Sequence, residues 1–324
     1  MLIALFLPLS VHGETVGPPE INSTGPCMGE EGFSKAWLDR AHTYITRSLC
    51  QPSVWFDHFF GEQRTSEEWP GSLVRWTNEY RLDQRDGGIY RSGFSASLRL
   101  PKADKKVKLI ITSENRDSES VNQPDDDPYD LDPPSTESNE MRTNAGLRYT
   151  LVSTRHVKAN VGLGARLDSP VDPYVRLRLR ITEPLGSTSL VRVTPAAIWY
   201  RDRGLGRSVH VDLERRVGEN ILLRASQSGV WKEGEPGILW GTEFSFLERF
   251  THLTVFNATV GATGKTQPFV HTERYRVALK LRSHFLRRWL FLEVEPELYW
   301  PRDEEGDYRK YHALTLRVEV QFFS

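Results

Sequence analysis

The segment Ala313–Phe322 reads Ala-Leu-Thr-Leu-Arg-Val-Glu-Val-Gln-Phe, apolar at every second position. Leu314, Leu316, Val318, Val320 and Phe322 share one face, and Thr315, Arg317, Glu319 and Gln321 share the other. Period 2 marks a strand with one apolar and one polar face. The pattern recurs from Leu73 to the end of the chain, so the fold expected is all-β. Alternation and turn residues place strands over 73–84, 89–100, 106–114, 142–152, 157–167, 174–182, 189–201, 207–217, 221–232, 238–247, 253–264, 271–284, 289–300 and 309–322. That makes about fourteen strands, with about twelve as the lower count. Turn chemistry such as Asp86-Gly87-Gly88 and Gly218-Glu219-Asn220 separates them.

The polar faces carry charge at high density. Val175, Leu177, Leu179 and Ile181 alternate with Tyr174, Arg176, Arg178, Arg180 and Thr182. Tyr275, Val277, Leu279 and Leu281 alternate with Arg274, Arg276, Lys280 and Arg282, and Leu290, Leu292, Val294 and Leu298 oppose Glu293, Glu295 and Glu297. Each unpaired ion in a dry interior costs several kcal/mol. These rows therefore line either a wet exterior or a wet lumen. The faces of 221–232, 238–247 and 253–264 are ambiguous, because both phases contain apolar residues.

Strand length and aromatic placement favour charges inside and lipid outside. Many segments exceed the nine or so residues that a tilted strand needs to cross a bilayer. Trp199, Tyr200, Trp231, Trp240, Trp289, Tyr299, Trp300, Tyr308 and Tyr311 lie near strand ends, where interfacial girdles form. A hydrophobic content of 38% and a mean hydropathy of −0.49 fit such a barrel, since only alternate residues meet lipid. No run of eighteen or so apolar residues exists to form a helical span.

Residues 71–324 are therefore read as the barrel, and 14–70 as an N-terminal periplasmic segment. That segment opens with irregular Pro/Gly-rich chain and continues into a short helix from Phe33 to Leu49, with Phe33, Trp37, Ala41, Tyr44 and Ile45 on one stripe. Residues 1–13 read as a signal peptide cleaved after Gly13, although the usual basic start is missing. Export would place Cys27 and Cys50 in an oxidising compartment, where they either form a disulfide or remain free thiols. The acidic, Pro-rich stretch from Asn115 to Met141 reads as a solvated loop, extracellular if the N-terminus is periplasmic.

The long all-β region with an aromatic-ended final strand resembles the Gram-negative outer-membrane β-barrels, although Ser324 follows Phe322 and Phe323. Two phrases, Trp55-Phe-Asp-His-Phe-Phe-Gly61 and Leu292-Glu-Val-Glu-Pro-Glu-Leu-Tyr-Trp-Pro301, are similar to segments of uncharacterised proteobacterial outer-membrane proteins of porin-like architecture. The resemblance implies an antiparallel, transmembrane, up-and-down β-barrel in the bacterial outer membrane. It also implies contact with outer-membrane lipid and lipopolysaccharide, and delivery by the outer-membrane assembly machinery through the C-terminal strand. It implies no substrate.

The role expected is a passive channel with a charged, net basic lumen open to small anions. The candidate wall comprises Arg176, Arg178, Arg180, Arg274, Arg276, Lys280, Arg282, Glu293, Glu295, Glu297, Arg317 and Glu319, with Arg91, Arg99, Lys108, Arg148, Lys158 and Arg166 adding positive charge. Around Arg274–Arg317 a structural ionic network is favoured over a conducting wall, while the row Arg176, Arg178, Arg180 is left open between the two. An alternative role is a structural or surface-interaction protein with a self-plugged lumen. A membrane-embedded hydrolase is the weaker alternative. No nucleophile elbow, phosphate loop or metal-type His spacing appears, so no enzyme activity, metal or cofactor is expected. His210, Asp212 and Glu214 share a strand face but read as lumen or surface polars. The net charge of −1 selects no partner, and no nucleic-acid binding is expected.

Overall fold

The computed structural model describes residues 72–100, 106–114, 142–167, 169–251, 253–285, 287 and 289–323. The expected signal peptide, N-terminal helix, Cys27–Cys50 pair and acidic loop lie outside the described residues. Within them the chain forms β1 (Leu73–Asp83), β2 (Gly87–Arg99), β3 (Val107–Glu114), β4 (Arg142–Ser153), β5 (Val157–Arg166), β6 (Asp172–Leu185) and β7 (Ser189–Tyr200). It continues with β8 (Gly204–Val217), β9 (Ile221–Lys232), β10 (Leu239–Arg249), β11 (Thr254–Lys265), β12 (His271–His284), β13 (Leu290–Pro301) and β14 (Tyr311–Phe323). Each strand pairs antiparallel with its sequence neighbours, and β1 closes on β14 in unbroken register from Leu73↔Phe323 to Asp83↔Ala313. The barrel is therefore up-and-down, with its backbone polar groups satisfied strand to strand and no free edge.

Several connections are three residues long. Gly186, between β6 and β7, and Gly218, between β8 and β9, have φ of 73° and 64°. L side chains avoid that region and glycine does not, so these turns can be tight. Strand ends differ from expectation by a few residues: β6 begins at Asp172 and runs to Leu185, and β8 starts at Gly204. In both, ladder pairing continues past the last alternating residue.

Side-chain exposure settles which face is which. Leu177 is 53% exposed and Phe244 is 60% exposed, while Arg282 is 0% and Asp212 is 0% exposed. Leu279, Leu281, Leu292, Leu298, Leu314, Leu316 and Phe322 are likewise exposed, and Glu293, Glu295, Glu297 and Glu319 are buried. A soluble barrel would show the reverse. An apolar outer belt around a charged interior, closed by an even number of strands, is the form in which single chains cross the bacterial outer membrane. The chain is an outer-membrane β-barrel.

The girdle expectation holds only in part. Trp199, Trp289 and Tyr308 are exposed, with Trp289 stacked on Phe322 near the end that carries both strand termini. Tyr200 and Tyr299 are buried, and Tyr299 stacks on Tyr311 inside the barrel. Their strand parity is that of the charged residues: Tyr299 continues the phase of Glu293, Glu295 and Glu297. These three tyrosines therefore belong to the lumen and not to the membrane interface.

Candidate functional site

The lumen wall divides into three arcs. The first spans β12, β13, β14, β1 and the start of β2, where cations and carboxylates interlock. Register places Arg282 opposite Glu293, and Glu293 opposite Arg317. Arg282 donates from Nη2 to Glu319 Oε1 (2.8 Å) and from Nη1 to Glu293 Oε2 (3.3 Å). Lys280 lies 3.1 Å from Glu295 Oε2, Arg276 pairs with Glu295, and Arg274 donates to Glu297 Oε1 (2.6 Å). The network crosses the closing seam: Arg317 pairs with both Glu79 and Glu293, Arg75 lies 3.4 Å from Glu319, and Arg81 donates to Glu297 (3.1 Å). Arg81 also donates to Asp83, whose Oδ1 accepts from the Tyr299 hydroxyl (2.6 Å). Arg91 extends the chain of pairs onto β2 through Glu79 (2.9 Å). Opposite-charge neighbours across a ladder stabilise by roughly 0.2–1 kcal/mol each where water reaches them. Buried, each member is held mainly because losing its partner would strand a charge.

The second arc is smaller. His210 Nε2 lies 2.9 Å from Asp212 Oδ1, which also accepts from Ser226 Oγ at 2.7 Å. Glu214 accepts from Arg224 (3.0 Å) and lies 3.5 Å from Arg192. All are buried on the lumen side of β7–β9. Ser226 donates to the carboxylate rather than to the imidazole, so the trio lacks the nucleophile-to-base hydrogen bond of an acyl-transfer triad.

The third arc, β2 to β6, has a different character. Arg99 stands opposite Lys108, Lys108 opposite Arg148, Arg148 opposite Gly162, and Gly162 opposite Arg176. Residues directly opposite in an antiparallel pair share a face, so cation follows cation across these strands with one glycine between. One step further along β5 and β6, Asn160 faces Arg178, and beyond it Lys158 faces Arg180. Arg178 and Arg180 are buried from lipid, and successive members of this β6 row sit about 6.5–7 Å apart by strand rise. Arg166, at the opposite end of β5, faces Asp172.

The structure thus separates the expected wall residues into two groups. Arg274, Arg276, Lys280, Arg282, Glu293, Glu295, Glu297, Arg317 and Glu319 meet in one ionic network. Arg176, Arg178 and Arg180 lie on a different arc, with Lys108, Lys158 and Arg148 as neighbours. Sequence reasoning missed Arg75, Arg81, Asp83, Arg192 and Arg224 as lumen residues. The ambiguous β9–β11 now have clear faces, with Arg224, Ser226, Ser228 and Lys232 inside and Leu223 and Val260 outside. The ambiguity arose from a small apolar cluster inside the barrel, Leu222, Leu247, Val255 and Phe291, against which Arg282 stacks 4.2 Å from the Phe291 ring centroid. Outside the membrane, Arg201 donates to Asp202 (2.9 Å) and holds that carboxyl below its ordinary range.

No protein-family model and no curated protein matches the chain. Among solved structures it is similar to the CymD monoaromatic hydrocarbon channel, at 7% identity, TM-score 0.48, covering 80% of this chain and 90% of that one. It is also similar to an anion-selective porin from Comamonas acidovorans, at 9% identity, TM-score 0.46, covering 78% and 98%. A third is the outer-membrane channel DcaP of Acinetobacter baumannii, at 11% identity, TM-score 0.43, covering 78% and 98%. Overlaps this loose carry neither a substrate nor a role across.

Proposed function

We propose that the protein is a passive outer-membrane channel whose preference for anions comes from the β2–β6 arc. The observation that carries this is the register row Arg99, Lys108, Arg148, Arg176, in which the ladder sets cation beside cation. Charges of one sign lining a low-dielectric wall focus the potential and raise the local concentration of counter-ions. The β12–β1 network, matched in sign, contributes rigidity and little selectivity. Non-catalytic transport also fits the second arc, where Ser226 donates to Asp212 and not to His210. Around the barrel, outer-membrane lipid and lipopolysaccharide cover the apolar belt, and the β14 strand is the segment the assembly machinery engages.

The second reading, a lumen closed by its own side chains, is favoured by the burial of the β12–β1 network. Purified full-length protein in planar bilayers under a KCl gradient separates the two. A channel gives discrete conductance steps with a zero-current potential on the chloride side. A silent barrel supports the plugged, structural reading, and a cation-side potential overturns the anion preference.

A further inference from the structure

We infer that the chain between Phe33 and Phe60 enters the barrel at the end where β1 begins and packs inside it against an apolar patch of the lumen wall. The patch is Leu222 on β9, Leu247 on β10, Val255 on β11 and Phe291 on β13, which form one cluster. Each shares strand parity with buried polar residues of the lumen: Leu222 with Arg224 and Ser226, Leu247 with Ser245, Val255 with Thr259, and Phe291 with Glu293. All four lie close to the barrel end at which β1 begins, because β9, β11 and β13 start there and β10 finishes there.

The patch is sealed more completely than the wall alone explains. Leu222 is 2%, Leu247 1%, Val255 0% and Phe291 2% exposed. Wall side chains fill the interior of a barrel of about eight strands, and a wider barrel encloses space that they do not reach. This barrel has fourteen. Short apolar residues on such a wall lose all contact with water only under a further layer of chain on their inner side. The long neighbours of Val255 are turned along the wall: Arg249 donates from Nη2 to Asn220 Oδ1 (2.8 Å), and Arg282 donates to Glu319 and Glu293. From β12, the His284 ring and the Arg282 guanidinium each lie 4.2 Å from the Phe291 ring centroid. That leaves Leu222, Leu247 and Val255 to the inner layer.

Topology and composition select the occupant. Two long stretches of the chain, 1–71 and 115–141, lie outside the described residues. The second joins β3 to β4 and so leaves from the opposite end of the barrel. It is acidic and Pro-rich, with Tyr129 as its one aromatic residue. The first leads into Leu73 at the end where the patch lies, and β1 is two strands from β13 around the barrel. Between Phe33 and Phe60 it carries seven aromatic residues, including the stripe Phe33, Trp37 and Tyr44 and the run around Trp55. Aromatic rings bring large apolar area, and burying it against an apolar wall drives the two together.

Photocross-linking of the full-length barrel in detergent tests this, with p-benzoylphenylalanine in place of Phe291. Mass spectrometry is expected to find the cross-linked peptide between residues 33 and 60. The same group in place of Leu213, which faces lipid, is expected to miss that peptide. Cross-links from Phe291 confined to the wall strands or to 115–141 overturn the inference, as do cross-links from Leu213 to 33–60. Trypsin supplies a second readout, since Lys35, Arg40 and Arg47 lie in the segment. In wild type these sites should resist cleavage. In Val255→Asp they should be cut at least about tenfold faster, because a charge in the patch disfavours the packed state and cleavage tracks the opened population. Heat-modifiable migration on gels shows that the variant barrel is folded, and Leu247→Ser replaces Val255→Asp if the latter does not assemble. Equal cleavage of variant and wild type overturns the inference. Neither readout needs ion flow, so a silent barrel leaves the packing standing, and a conducting barrel without the cross-link keeps the channel alone.

Discussion

At the scale of single residues, what matters is which side of the sheet a side chain occupies. Leu179 and Arg178 are adjacent on β6, yet Arg178 is buried inside and Leu179 belongs to the outer belt. Both sit near the middle of a strand that spans Asp172–Leu185, hence near mid-membrane. Leu179→Arg places a cation in lipid and is expected to destabilise the barrel by roughly 2–4 kcal/mol, the cost of a charge at the bilayer midplane. Arg178→Ala keeps the outer surface unchanged and should fold. Urea unfolding in lipid vesicles ranks the two, and the reverse order would mean that the faces are exchanged. The same parity rule explains Tyr200 and Tyr299, which lie at strand ends but point inward. Position along a strand predicts the depth of an aromatic ring, while phase decides whether lipid ever meets it.

At the scale of strands, the register turns a list of charges into neighbours. Glu293 shows this best: on β13 it touches Arg282 on β12 and Arg317 on β14, with Lys280 3.6 Å away. Glu293→Gln leaves these cations with one carboxylate fewer in a buried setting, and about 3–5 kcal/mol of stability should be lost. Asp202→Asn breaks an exposed pair and should leave the unfolding midpoint where it is in wild type. Equal effects in the urea titration would show that the lumen network is as wet as the surface. The strands themselves were legible in sequence because lipid on one side and charge on the other impose a strict period of 2. β12–β14 were legible even in their pairing, since adjacent hairpins must bring cations opposite carboxylates. β9–β11 were not, because Leu222, Leu247 and Val255 add apolar residues to the inner face. The row from Arg99 to Arg176 was visible only as separate basic residues. Its continuity depends on how far each strand is staggered against the next, and alternation does not encode that.

At the scale of the whole barrel, the two sides of the lumen differ in kind. One is an ionic lattice that crosses the β1–β14 seam and ties the first strand to the last. The other carries the register row Arg99, Lys108, Arg148 and Arg176, in which basic residues follow one another across the ladder with Gly162 between. The proposed channel would draw its preference for anions from that row, since charges of one sign on a pore wall attract counter-ions. The most direct measurement of this claim is the zero-current potential of single channels under a KCl gradient, compared between wild type and Arg176→Glu. Arg176 is half-buried on the cationic arc and faces Gly162 across the ladder. Wild-type channels should prefer chloride, and the variant, shown to be folded by heat-modifiable migration, should shift measurably toward potassium. Conducting channels with the same potential in both proteins would contradict the account, because the cationic arc would then lie outside the path that ions take.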